Sequence, residues 1–550
     1  MLDSLTKIAG GTVYDPASGV VGDVCDLWIA DGKFVAAPAD ASARPARAID
    51  ARGLVVMPGG VDIHCHIASG GANAARLLTP EQRRASEEKS VPSNVVPRTE
   101  RTRSGTLGLV PSTFVTGYKY AGLGYTTAFD AAVAPLGARH AHHELADTPC
   151  LDKGLFVLVG NNHYAMRCIE QGDREQLKMF LAWLLGTARA YAPKIVNPGG
   201  VEAWKHSVRK HGHGLDEPMP GFNVTARQIV REIVAAANEL ELPHPAHIHC
   251  NQLGMPGNWR TTLETMRAVE GRRAHFTHIQ FHSYGGGGGD EFSMSSRVQP
   301  LADYVNANPN ITVDVGQVMF GDAVAMTSDG AAGYFLQRLY GGRWFNCDVE
   351  RETGCGVTPI QYRRRSVVHA LQWAIGLEWY LIVKNPWQVM MSTDHPNGGS
   401  FLAYPQIIRL LMDREFRYEQ IARCPPAVRK HTVLAELDRE YTLEEIAIIT
   451  RAGPARALGL AQKGSLAVGA DADVAIYLPS DDRQAMFELP RIVLKDGETI
   501  VDGGEIRAAP AGSVLTTAPA FDAHRLPAVR KWFNEHYSIR FANYGAGSSV

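Results

Sequence analysis

The sequence has no Cys-x-x-Cys pair, and its eight cysteines lie scattered through 550 residues. That spacing argues against a disulfide framework and predicts reduced thiols in a cytoplasmic protein. It also argues against an iron–sulfur cluster on this chain, because such clusters need grouped thiolates. Neither sign of charge dominates: 55 Lys and Arg stand against 57 Asp and Glu, a net charge of −2. No nucleic-acid partner and no membrane surface is expected from that balance. Long apolar runs are missing too. The most apolar stretch, residues 179–188, is flanked by Lys178 and Arg189 and falls well short of the roughly 20 residues a bilayer span requires. Met1-Leu2-Asp3-Ser4 shows no basic segment leading into an apolar one, so no secretory leader is expected.

What is present is a large core-forming chain, 45% hydrophobic and 20% charged, long enough for one expanded domain or two to three domains. Residues 1–58 read as short strands broken by the turns Asp15-Pro16 and Asp31-Gly32, ending at Pro58-Gly59-Gly60. A second β-like stretch, 461–510, has Val474-Ala475-Ile476-Tyr477 and Arg491-Ile492-Val493-Leu494 before the turn Asp496-Gly497. The expectation is one small β-sandwich built from both ends of the chain. Between them, 59–460 alternates strand-like and helix-like segments. Thr225 and Gln228 have capping-box spacing, Ile229, Ile233, Ala237 and Leu240 follow at helical spacing, and Pro243 and Pro245 end the helix. Strand-like segments fall near 61–66, 125–130, 155–160, 194–197, 246–250, 274–280, 311–318 and 388–393. Eight strands with crossover helices predict an α/β fold, a TIM-like (β/α)8 barrel. Since a bare barrel needs about 250 residues, large rim insertions are expected, the clearest at 68–120. The end of the chain, 511–550, reads as a docking tail with a short helix from 526 to 537.

His64-Cys65-His66 closes the first barrel strand. Alternation puts both imidazoles on one face, in the barrel mouth, as half of a zinc site. On its own an HxH pair is more often two ordinary histidines, but here it follows Val56-Met57-Pro58-Gly59-Gly60-Val61-Asp62. The run "VVMPGGVDIHCH" after a β module resembles the amidohydrolase superfamily, and "GSLAVGADADVAIY" resembles the return strand of its sandwich. Together these cover about residues 8–500. The resemblance implies one or two divalent metals held by the HxH pair, a residue after strand 4 that is often a carboxylated lysine, one histidine each on strands 5 and 6, and an aspartate after strand 8. The matching positions are His64, His66, Lys194, His249, His278 and Asp394. Lys205 rivals Lys194 but lies in a more loop-like or helical stretch. His249 is preferred to His247 as nearer the strand end, leaving His247 a buried, hydrogen-bonded neighbour. By parity with His278, His275 is expected to face the helix layer.

Within the superfamily, "KIVNPGGVEAW", "HIHCNQLGMPGNW", "THIQFHSYGG" and "STDHPNGG" resemble the formylmethanofuran dehydrogenase A subunits, including the form in the formyltransferase/hydrolase complex of methylotrophic bacteria. Low charge density leans to that bacterial form. The resemblance implies reversible hydrolysis of a formylmethanofuran-type one-carbon carrier to formate and methanofuran. It implies two zinc ions bridged by carboxylated Lys194, Asp394 as the proton shuttle, and partner formyltransferase and dehydrogenase-like subunits. Rim residues offered for substrate binding are Asn161, Asn162, His163, Asn251, Gln252, His282 and Tyr284, each of which could equally cap a helix or brace a loop. Arg98, Arg101 and Arg103 could meet an acidic carrier tail, although a solvated face or subunit contact is the plainer reading. Two other functions stay open: a hydantoinase-like cyclic amidase or N-acyl amino-acid deacylase with the same metal site, and a non-catalytic scaffold subunit.

Overall fold

A computed structural model describes residues 5–40, 44–81, 108–206, 213–287 and 293–547. Eight parallel strands form its centre: β1 (Gly60–Cys65), β2 (Tyr125–Val133), β3 (Asp152–Leu158), β4 (Ala192–Val196), β5 (His247–His249), β6 (Ala274–Phe276), β7 (Ile311–Asp314) and β8 (Val389–Met390). They pair in chain order. Cys65 bridges His395 in the parallel sense, and the His66 N–H donates to the His395 carbonyl at 2.8 Å, drawing the last strand's end against the first. Almost every residue of these strands is buried, as expected of parallel strands covered on both faces, which read as apolar runs rather than alternations. The fold is the expected α/β barrel.

The predicted helix is Ala226–Glu239, with both halves of the Thr225–Gln228 capping box formed. Its buried face, Ile229, Val230, Ile233, Val234 and Ala237, joins the main core.

Strands from both ends of the chain share one nine-stranded sheet. Val55–Pro58 runs parallel to Thr6–Asp15 on one side and antiparallel to Val474–Tyr477 on the other. Ile8, Val13, Phe34, Val56, Val474 and Ile476 fill its core. Arg451, buried, fixes it to the barrel by donating to the Pro58 carbonyl at 2.9 Å and to the Tyr477 hydroxyl at 2.6 Å.

Between β7 and β8 the chain builds a cap. A three-stranded sheet (Gly321–Thr327, Phe345–Val349, Thr353–Tyr362) carries the helix Gly330–Tyr340. Part of the 68–120 insertion forms the helix Gly70–Leu78, which packs against this sheet. Arg98, Arg101 and Arg103 lie outside the described residues. The tail adds Val514–Leu515 beside β3 and the helix Leu526–His536. Among the described residues, no helix is long and apolar enough to cross a membrane.

Candidate metal centre

The carboxyl ends of the strands converge on a cavity of about 490 Å³ lined by His64, His66, Lys194, His249, His278 and Asp394. His64 and His66 project from the end of β1, their ring centroids 5.3 Å apart. Asp394 follows β8 at φ +50°. Its Oδ1 lies 2.9 Å from His64 Nε2 and 3.0 Å from His66 Nε2, and it accepts a bond from Asn397 Nδ2 at 2.9 Å.

The other nitrogen of His64 points down the barrel. His64 Nδ1 is 2.9 Å from His247 Nε2, His247 Nδ1 is 3.0 Å from His244 Nε2, and His244 Nδ1 is 2.7 Å from the Ala457 carbonyl. A carbonyl only accepts, so His244 must carry its proton on Nδ1. Burial keeps all three imidazoles neutral by lowering their pKa values, that of His64 to about 4. Each ring then passes the same polarity upward, leaving His64 Nε2 with its lone pair turned to the cavity beside Asp394 Oδ1, two acceptors with no proton between them, the state in which both can serve as metal ligands.

Lys194 is 1% exposed, and its Nζ has no hydrogen-bond partner. Burial pushes its pKa down to about 7 against the pull of Asp314 and Asp394. His249 Nε2 stands 3.5 Å from Asp329 Oδ2, outside hydrogen-bond geometry. His278 sits at φ +35°, its backbone N–H on Asp314 Oδ1 at 3.0 Å. Gly316 makes room for it: a Cβ there would lie 2.4 Å from the His278 Cβ. His64 Nε2, Lys194 Nζ and His249 Nε2 are thus buried without hydrogen-bond partners around one cavity. Folded proteins rarely leave such groups bare, and this donor set fits a metal pair.

Other expectations meet a different placement. Lys205 lies on the short helix Gly200–His206, paired with Glu202 at 2.7 Å, and does not line the cavity. His275 does not face the helix layer. It packs inside the barrel on His247, with centroids 4.5 Å apart, and reaches Asp314 Oδ2 at 3.0 Å. The strand ends at Phe276 and the backbone turns left-handed at His278, so parity cannot be carried across it.

None of the seven rim residues offered for substrate lines the cavity. Asn161 donates to the Val196 carbonyl at 2.7 Å, and Asn162 caps the helix His163–Glu170. His163 lies 3.0 Å from Glu202. Asn251 donates to Asn197 Oδ1 at 2.9 Å, and Gln252 accepts from Thr261 at 2.8 Å. Tyr284 donates to Gln280 at 3.2 Å, and His282 is fully buried. Loop ends carry many unpaired backbone groups, and short polar side chains are spent on them. The cavity wall is instead mostly apolar: Phe281, Met326, Leu336, Ile360 and Tyr362, with Gln372 and Asn397 as polar points.

Three further residues shape the site without having stood out in the sequence. Asp314 accepts from the His278 N–H, Ser392 (2.6 Å) and His275. Asn397 orients Asp394. Asp329 comes over from the cap and accepts from Asn197 Nδ2 at 3.0 Å. Asp314 carried a usable signal, a lone acid closing the apolar strand Ile311-Thr312-Val313.

Comparison with known proteins follows the same lines. Residues 47–501 match the model of the amidohydrolase family. The chain is 41% identical to Protein FwdA of Methanocaldococcus jannaschii over 98% of its own length and 96% of that protein's. It is also 41% identical to the A subunit of the formyltransferase/hydrolase complex Fhc of Methylorubrum extorquens, over 94% of this chain and 92% of that one. The crystal structure of the FhcABCD complex from Methylorubrum extorquens with methylofuran contains a chain of 38% identity that superposes with a TM-score of 0.91, covering 98% of this chain and 96% of that one.

Proposed function

The chain belongs to the amidohydrolase family, and from that premise we propose that it works as the A subunit of a formyltransferase/hydrolase-type complex. It hydrolyses the N-formyl group of a formylmethanofuran-type carrier, releasing formate and the free amine of the carrier. One observation carries this reading: six side chains from the ends of five strands line one cavity in a chain that matches such A subunits over nearly its whole length. Equal identity to the archaeal and bacterial relatives supports neither form over the other.

His64, His66 and Asp394 would hold one metal, His249 and His278 the second, with Lys194 as a carbamate between them. Imidazole and carboxylate donors suit zinc. Such a pair supplies an activated water and polarises the formyl carbonyl.

The chain's own residues do the rest. Asp394 accepts a proton from the attacking water and returns it to the departing nitrogen as the C–N bond breaks. Formamide plus water thereby becomes formate and amine. Asn397 fixes the carboxylate that moves the proton. The apolar wall formed by Phe281, Ile360 and Tyr362 excludes bulk water and takes an uncharged N-substituent.

The test is formate release by the chain with its partner subunits, assayed on an N-formyl furfurylamine-type amide and on a cyclic ureide. Formate from the formamide alone is expected. No formate, or preferential opening of the ureide, overturns the reading.

A further inference from the structure

His282 does not line the cavity, and its chemistry is not used by the reaction. Its ring is fully buried, and neither Nδ1 nor Nε2 has a hydrogen-bond partner. Packing holds it in place. It ends the short 3-10 turn Ile279–His282 that follows His278, and its carbonyl accepts from Thr262 Oγ1 at 2.8 Å. The turn stacks His282 on His278, with centroids 5.3 Å apart and planes at 28°, and sets it 5.1 Å from His249. One nitrogen from each of the three rings can be chosen so that all lie within 4.8 Å of one another. Zinc–nitrogen bonds of about 2.0–2.1 Å place ligand nitrogens roughly 3–4 Å apart around one ion, so small side-chain rotations close the three on a common point.

We propose that His282 is a metal ligand, so that the second metal position is held by three imidazoles, His249, His278 and His282, together with Lys194. The inference rests on reading the barrel mouth as a metal centre. It gives one of the two bare nitrogens of this buried imidazole a partner, which packing alone does not. The third imidazole adds a donor without adding charge. The two positions then differ in kind: His64, His66 and Asp394 at one, three nitrogens at the other. The nitrogen-rich position favours zinc, cobalt or nickel over magnesium or manganese.

The experiment strips the purified chain of metal with a chelator and titrates it with Co(II). Bound metal is counted by mass spectrometry, and coordination is followed by visible absorption. Wild type is expected to take up two ions. His282→Gln is expected to take up one with unchanged affinity and the second at least about tenfold more weakly, with a changed ligand-field band. In His282→Gly, added imidazole is expected to restore the second ion. Full retention of both ions by His282→Gln, with an unchanged spectrum, overturns the proposal. If that variant fails to fold by circular dichroism, the glycine variant decides, and no recovery with imidazole overturns it. A wild-type chain that binds no cobalt overturns the underlying metal reading instead.

Discussion

A neutral imidazole has one N–H and one lone pair, so a carbonyl at one end of a histidine row fixes the state of the ring at the other. That is the arrangement from Ala457 through His244 and His247 to His64, and it presents His64 Nε2 to the cavity as an acceptor. Among the described residues, Asp394 is the only carboxylate in the cavity wall. Asp394→Ala is therefore expected to lower formate release by about 10²–10⁴-fold, the usual worth of a positioned proton carrier, with an unchanged circular dichroism spectrum. Wild-type turnover in that variant would remove Asp394 from the reaction. Lys194→Ala is expected to lose at least one metal by elemental analysis, and retention of two would move the bridge elsewhere. Apoprotein is expected to reload more fully with bicarbonate present, because burial brings the Lys194 pKa to about 7 and a carbamate forms only from the neutral amine. The six candidate ligands lining the cavity were legible because the sequence resembles the amidohydrolase superfamily, in which ligand types recur at strand ends in a fixed order. The substrate contacts were not, because Asn161, Asn162 and Asn251 brace the backbone, and nothing in the sequence separates a bracing amide from a binding one.

At the scale of elements, the barrel strands could be read because burial on both faces makes them apolar runs, as in Leu155-Phe156-Val157-Leu158. The cap strands could not. Thr353–Tyr362 mixes glycine, cysteine and proline, and its strand character comes from pairing with Gly321–Thr327 and Phe345–Val349. The cap helix Gly330–Tyr340 places Leu336 and Tyr340 on the cavity wall, and one side chain fixes its start. Asp329 Oδ1 accepts from Ala332 N at 3.1 Å and from Asn197 Nδ2 at 3.0 Å, tying the helix to the loop after β4. Asp329→Ala removes a helix cap, worth about 1 kcal/mol, and strands a buried amide at about 1–3 kcal/mol. Hydrogen exchange is expected to quicken across 330–340 while the barrel strands stay protected, with KM rising more than kcat falls. Unchanged exchange in that helix would show that the tether does not hold the cap.

At the scale of the whole molecule, the tail is joined to the cap through one buried acid. Glu352 lies in the turn between the strands Phe345–Val349 and Thr353–Tyr362. It accepts from the hydroxyls of Tyr537 and Tyr544 and, at 3.2 Å, from Leu136 N. Burial raises its pKa to about 7, against the opposing effect of these hydrogen bonds. The native chain therefore keeps a proton on Glu352 that the unfolded chain has already lost above its ordinary pKa of about 4.3. Stability from this group is fully present below that value and is lost as pH rises towards 7, by up to about 4 kcal/mol at 1.36 kcal/mol per unit. Glu378, also raised by burial, contributes with the same sign and remains in any Glu352 variant. Glu352→Gln cannot titrate, and its amide NH2 would face the Leu136 N–H. It is therefore expected to melt below wild type at pH 5 but to lose less of its melting temperature between pH 5 and 8. Melting curves across that range check both parts. A slope equal to wild type would mean that Glu352 is already ionised in the native chain, and that the tail is held by the tyrosine hydroxyls on a carboxylate.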